Sequence, residues 1–222
     1  MTVTISAISM VIALALGTAV AAVRAVDAAP LRLRGGRITR ATLATALWST
    51  ALSPLQLLAA AYVEFFRNTP VLIQIYFYYF GLPKVGIRLE AFQVGIIAMT
   101  VYHATYVSEI VRSGIRAINQ GQIEAARSLG LTYPQAMRYV VLPQALRIVI
   151  PPLGTLLIAL VKNTSLLAAI SLGELLFVAT LLESRTFRTF EIFTVLIGFY
   201  LSLTLPLSFF VNWLERRTAV AR

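Results

Sequence analysis

Four polar residues, Lys162-Asn163-Thr164-Ser165, interrupt an otherwise apolar stretch near residues 148–170. An ammonium followed by an amide and two hydroxyls could hold a carboxylate and pair the other polar atoms of a small zwitterion. Helical spacing sets Thr155, Ala159, Lys162, Leu166 and Ala169 along one stripe. A structural role is equally open. Lys162 can snorkel outward or pair with Glu174, and Asn163, Thr164 and Ser165 can hydrogen-bond between helices. A second polar group, Tyr102, His103, Thr105 and Tyr106, lies in another apolar stretch. His103 there is either a ligand on a path or a packed, hydrogen-bonded core residue.

Other chemistry is excluded early. The chain has no cysteine and one histidine. Thiolate metal sites, disulfides and His-rich metal sites are therefore ruled out. A membrane enzyme would need carboxylates and histidines clustered at one membrane face, and the carboxylates here are scattered. No G-x-x-x-x-G-K-[ST] phosphate loop is present, so ATP would have to be bound by another chain. No resident cofactor is expected.

The elements that position these residues are membrane spans. The chain has 222 residues, 59% of them hydrophobic and only 13% charged. Crossing a bilayer takes roughly 20 helical residues, and several apolar runs reach that length. The runs are continuous and do not alternate, which favours helices over a barrel. The expected class is an all-α polytopic membrane protein with about five transmembrane helices, forming a single domain over 1–222. The spans fall near 4–25, 68–83, 91–110, 148–170 and 191–212. Residues 1–23 carry no charged side chain, unlike a signal peptide, and read as an uncleaved first span.

Charge sets the orientation. The net charge of +10 fits basic cytoplasmic loops better than nucleic-acid binding. With the N-terminus outside and the C-terminus cytoplasmic, 14 of the 19 basic residues fall on inside segments. They include Arg24, the arginines at 32, 34, 37 and 40, and Arg67. Lys84, Arg88, Arg185 and Arg188 fall outside. Were 41–62 also a span, the 32–40 cluster would move outside. Residues 28–62 therefore read as an inserted or interfacial segment, or as a lead-in to the second span. Pro54 weakens 41–62 as a straight spanning helix.

The longest inside connection, 111–147, contains Glu124-Ala-Ala-Arg-Ser-Leu-Gly130. The first six residues form helix well, and Gly130 can take positive φ and end it. A second helix is expected from Tyr133 or Pro134, with Pro143 bending or ending it. Ala125 and Ala126 would offer a flat, small-residue surface to another protein. An ordinary amphipathic linker at the bilayer surface is the plainer alternative.

This segment resembles the EAA loop of ABC importer permeases. Glu124-Ala125-Ala126, Gly130, Val140 and Leu142-Pro143 complete its spacing. Tyr62-Val-Glu-Phe-Phe-Arg-Asn-Thr-Pro70, Phe80-Gly-Leu-Pro83, Glu109-Ile with Arg112, Gly121-Gln122, Leu142-Pro-Gln-Ala145 and Lys162-Asn-Thr-Ser-Leu166 resemble segments of the polar amino acid branch. The similarity spans roughly residues 60–175. It implies a type I ABC importer permease fold in a bacterial inner membrane. It implies a second permease copy or sister chain, two ATPase subunits binding ATP-Mg, and an external amino acid binding protein. It implies that Glu124, Ala125, Ala126, Arg127 and Gly130 couple to the ATPase. Lys162, Asn163, Thr164, Ser165, Thr155, His103 and Tyr106 are the candidates for the substrate path. Some relatives, including permeases for basic amino acids, carry acids at the positions of Leu156 and Asn163. Their absence tilts the substrate toward an acidic or neutral polar amino acid. The main rival is a self-sufficient secondary transporter or channel, whose usual internal repeats are not evident here.

Overall fold

The computed structural model describes residues 1–25 and 40–218, with the side chains of 1–24 and 54–217. Expectations resting on Arg32, Arg34, Arg37, Arg222 and the side chain of Arg40 lie outside the described residues. Among the described residues every regular element is helical. In order these are α1 (Thr2–Ala25), α2 (Arg40–Arg67), α3 (Val71–Tyr76), α4 (Ala91–Arg116), α5 (Gln120–Ser128), α6 (Tyr133–Ala136), α7 (Leu142–Asn163), α8 (Leu175–Thr186) and α9 (Thr189–Thr218). Four helical stretches are long and apolar enough to cross a membrane: Thr2–Arg24, Ala91–Arg116, Tyr133–Ile170 and Thr189–Arg217.

The expected crossing at 68–83 is a composite. α2 runs through Pro54 without a break and ends at Arg67, so 41–62 is the body of a helix leading into this crossing. α3 follows, then a wide π turn at Phe77–Gly81 and a tight 3-10 turn at Leu82–Val85. The break between α2 and α3 comes from Pro70, which has no N–H to give the carbonyl four residues back. Side chains take over. Gln74 Nε2 donates to the carbonyls of Phe66 and Thr69, each at 3.0 Å. Thr69 Oγ1 donates to Phe65 O at 2.7 Å, and Asn68 Nδ2 to Glu64 O at 2.8 Å. In hydrocarbon no water would serve these carbonyls.

α4 is the hub, buried along most of its length. α1 lies along one side of it. A Cβ on Gly17 would stand 2.5 Å from Ala104 O and 2.5 Å from Val107 Cβ, so only glycine permits this approach. α7 packs on another side, with Val149 against Gly114. α9 packs on α7, where Val211 meets Gly154.

The ends of the bundle sort by chemistry. At one end Glu109 takes ion pairs from Arg24 of α1, Arg112 of its own helix at 2.5 Å, and Arg67 of α2 at 3.8 Å. At the other end Leu175 N donates to Thr2 Oγ1 at 3.3 Å. Glu174 caps α8 there, accepting from the amides of Leu176 and Phe177 and, at 3.2 Å, from the Tyr200 hydroxyl. Burial pushes the Glu174 carboxyl up from its ordinary range, against the pull of those donors. Three helices, α1, α2 and α4, thus meet on one carboxylate at the arginine-rich end.

The Gly17 contact yields a test. Gly17→Val forces a methyl group into backbone, while Gly198 has open space around its Cβ position. Overpacking of this kind costs about 1–3 kcal/mol. Gly17→Val should lower the thermal midpoint of the purified protein in detergent, and Gly198→Val should leave it near wild type.

Candidate functional site

The candidate residues form two groups, one on α5 and the turn that follows it, the other on α7. The first is the loop before α7. Asn119 caps α5, its Oδ1 accepting from Gly121 N at 2.8 Å. The helix ends in paired backbone bonds, Gly130 N to Arg127 O at 3.0 Å and Leu131 N to Ala126 O at 3.2 Å. This is a Schellman end, which places the residue after the cap in the left-handed region. Gly130 occupies it with φ at +89°. Thr132 and Gln135 then form a capping box that starts α6 at Tyr133.

Pro143 does not end the second helix. The run from Tyr133 to Ile170 is continuous, so the expected span at 148–170 begins earlier. A π turn at Met137–Val141 precedes the proline and α7 starts at Leu142. Gln144 Nε2 supplies a donor to Val140 O at 2.8 Å. The same nitrogen lies 2.6 Å from Gln122 Oε1 of α5. One side chain therefore ties the loop helix to the base of the span. Sequence reasoning named both glutamines and did not foresee their contact, because they are 22 residues apart.

The surface of α5 differs from the expected pair of alanines. Ala125 is exposed, but Ala126 is buried beneath the helix. Ile118, Val141 and Ala145, with Ile123 and Met137, form the small core there. Glu124, Arg127 and Gly130 are exposed. Among the described residues Glu124 and Arg127 have no side-chain partner. Beside them stand Leu129, 82% exposed, Tyr133 and Tyr139. Those three apolar groups went unnoticed in the sequence, where an exposed leucine looks like any other leucine.

The second group lies on α7. Pro151 and Pro152 do not interrupt it, and Thr155 Oγ1 donates to Pro151 O at 3.3 Å. Thr155, Lys162 and Ala169 are exposed along the predicted stripe, while Ala159 and Leu166 are half-buried. Lys162 has no hydrogen-bond or ion-pair partner among the described residues. It does not pair with Glu174, whose oxygens go to backbone amides and Tyr200.

Asn163 sits against α4, with Nδ2 3.4 Å from His103 Nε2. His103 is about 18 Å along α4 from Ala91, near the middle of a helix about 39 Å long. That fixes the depth of Lys162 and Asn163 at the centre of the bundle. His103 is 1% exposed, and its Nδ1 lies 2.8 Å from Met99 O. Thr164 is fully buried and bonds Val161 O at 2.7 Å, and Ser165 lies beside the Tyr200 phenol. Tyr106 bonds Tyr102 through their hydroxyls at 2.9 Å and lies under the Arg67 guanidinium. The structure thus joins Lys162, Asn163 and His103 at one level, turns Thr164 into packing, and places Tyr106 nearer the arginine end.

Comparisons with known proteins give the family. Residues 41–220 match the family described as binding-protein-dependent transport system inner membrane component. The chain belongs to that family. It is 42% identical over 168 residues to the probable glutamine ABC transporter permease GlnM of Bacillus subtilis, covering 76% of this chain and 78% of that one. To the glutamine transport system permease GlnP of Escherichia coli it is 36% identical over 164 residues, 73% of this chain and 75% of that one. A crystal structure of an amino acid ABC transporter with histidines superposes with a TM-score of 0.83 at 32% identity, covering 98% of this chain and 90% of that chain. An inward-facing methionine transporter, MetNI, shares the fold at 22% identity with a TM-score of 0.70. This permease is a transport component, not itself an enzyme.

The turn at Gly130 can be tested alone. A β-branched residue at φ +89° is strained by about 1–3 kcal/mol. In Gly130→Val, hydrogen exchange of the amides at 126–131 should rise at least several-fold, with α4 and α7 still protected. Unchanged exchange at Leu131 would contradict the Schellman assignment.

Proposed function

We propose that this chain is the permease subunit of an ATP-driven amino acid importer of the bacterial inner membrane, taking up a neutral or acidic polar amino acid. The observation that carries the proposal is the physical continuity between the two groups of residues. α5 is bonded through Gln122 and Gln144 to the foot of α7, and α7 carries Lys162 and Asn163 at mid-bundle. A load on α5 is passed along a single helical rod to the polar cluster, about 27 Å away at helical rise.

The exposed face of α5 docks a separate ATPase. Glu124 and Arg127 provide unpaired charges, and Leu129 an apolar anchor that is costly to leave in water. ATP-Mg is bound and hydrolysed by that partner. α7 exposes Thr155 and Lys162 toward a path completed by a second permease, either another copy or a sister chain. Two ATPases and an external binding protein complete the assembly. The likeness to glutamine permeases and the absence of acids at Leu156 and Asn163 support a substrate other than a basic amino acid.

Within the path Lys162 meets the substrate α-carboxylate. An ammonium and a carboxylate at mid-membrane form charge-assisted hydrogen bonds worth more than neutral ones. Losing one partner of such a desolvated pair costs roughly 3–5 kcal/mol. Lys162→Met should leave the complex assembled and lower uptake at least tenfold. Normal uptake by that variant would make Lys162 a snorkelling residue.

Coupling is tested separately. Glu124→Lys reverses a charge on α5 that no described residue of this chain uses. The expected result is several-fold less ATPase recovered with the tagged permease, or ATP hydrolysis that continues without uptake. Normal recovery and normal coupling together would remove α5 from the docking surface.

A further inference from the structure

His103 is buried and central, and it faces a residue of the proposed path. Its hydrogen bonds fix more than its own position. Nδ1 lies 2.8 Å from the Met99 carbonyl oxygen. A carbonyl oxygen only accepts, so Nδ1 carries the ring proton. No carboxylate among the described residues contacts the ring, and a buried imidazole without such a partner is neutral. Its other nitrogen, Nε2, therefore holds a lone pair. Asn163 must turn its Nδ2 toward that lone pair, and Nδ2 is indeed the atom at 3.4 Å.

The amide of Asn163 then has one available direction. With Nδ2 on the imidazole, Oδ1 is the polar atom of the amide left to other partners. Asn163 is partly exposed, and Oδ1 has neither a hydrogen-bond partner nor an enclosed position among the described residues. The next residue back is Lys162, exposed on the path stripe. The site thus presents a cation and, beside it, a fixed acceptor that cannot donate in the same direction.

We infer that His103 is a positioning residue for selectivity: it orients Asn163 so that Oδ1 accepts from the substrate side chain, selecting a carboxamide over a carboxylate. Glutamine brings an N–H2 to that oxygen. Glutamate brings a second pair of lone pairs, which repel it. A site built to accept a hydrogen bond rejects an analogue that cannot donate one, because both groups are left unpaired. Lys162 alone would favour the more negative ligand, so the orientation of Asn163 decides between the two. The inference rests on the proposal that the Lys162 stripe lines the path.

The test uses the permease–ATPase complex in nanodiscs without the binding protein. Binding of labelled L-glutamine is competed by unlabelled L-glutamine and L-glutamate. Wild type should prefer glutamine by about tenfold or more, the scale of an acceptor covered by bound substrate and left unpaired. His103→Phe keeps a ring and removes the acceptor, with His103→Leu as a second apolar variant. Either should cut the preference to within about threefold, since Asn163 is freed to flip. Asn163→Leu should do the same. His103→Gln can accept through its own side-chain oxygen, and should retain the preference.

An unchanged glutamine preference in the assembled His103 variants would overturn the inference. So would equal loss of both ligands, which would place Oδ1 on the shared α-ammonium, or a wild type without preference. If neither apolar His103 variant assembles, Asn163→Leu and His103→Gln decide by the same ratio. Lys162→Met separates the two levels. If it binds both ligands as wild type does, the path itself is misplaced. If it weakens both while the His103 variants keep the ratio, only the role of His103 fails.

Discussion

Every carbonyl within a bilayer must find a donor inside the protein, because lipid offers none. That constraint explains the side chains around the prolines of this chain. Pro70, Pro143 and Pro151 all fall in or beside spans, and a polar side chain supplies a carbonyl near each. Gln74 serves the end of α2, Gln144 the wide turn before α7, and Thr155 the carbonyl of Pro151 itself. Of the three, Gln74 serves the carbonyl its proline leaves without a donor, Phe66 O, four residues before Pro70. Gln144 has two acceptors, Val140 O and Gln122 Oε1, so one side chain joins loop and span.

The same economy shapes the charged end. Glu109 is only part-exposed, and a carboxylate there needs cations. Arg24, Arg67 and Arg112 come from three helices, so meeting that need also gathers α1, α2 and α4. Glycines set the remaining distances. Gly17 lets α1 approach α4, and Gly154 lets α9 approach α7. Packing without a strong hydrophobic drive relies on such close approach. α9 contributes little burial of its own, consistent with a helix facing lipid or a second subunit.

Much of this was legible in the residues. Apolar runs marked the spans, since length in hydrocarbon is a coarse property. The EAA spacing marked the loop, because a Schellman end needs a glycine at one position and Gly130 is there. Asn163 and Lys162 stood out as polar groups in oil. The sequence misled where Pro54 was taken to weaken a straight helix and Pro143 to bend or end one. Pro54 and Pro143 both lie in helical runs that continue, because a turn can widen to π geometry or tolerate one lost bond. Helical periodicity fixes faces only to within the width of a stripe, so Ala126 was expected beside Ala125 and proved buried. Contacts between distant residues, such as Gln122 with Gln144 or His103 with Asn163, leave no signature in a single chain.

The His103–Asn163 pair shows why burial and function can share a residue. A histidine at mid-bundle needs partners for both nitrogens or it destabilises the core. Met99 O is fixed by the helix it belongs to, which leaves Nε2 to be satisfied from α7. Any donor on α7 would serve stability. An asparagine does more, because its two polar ends are opposite in kind: giving the donor to the ring dedicates the acceptor to the other side. A serine or lysine in that place would satisfy His103 and present no fixed carbonyl. The polarity of the exposed edge at Asn163 is therefore a consequence of the buried proton on Nδ1, carried across two hydrogen bonds from the backbone of α4.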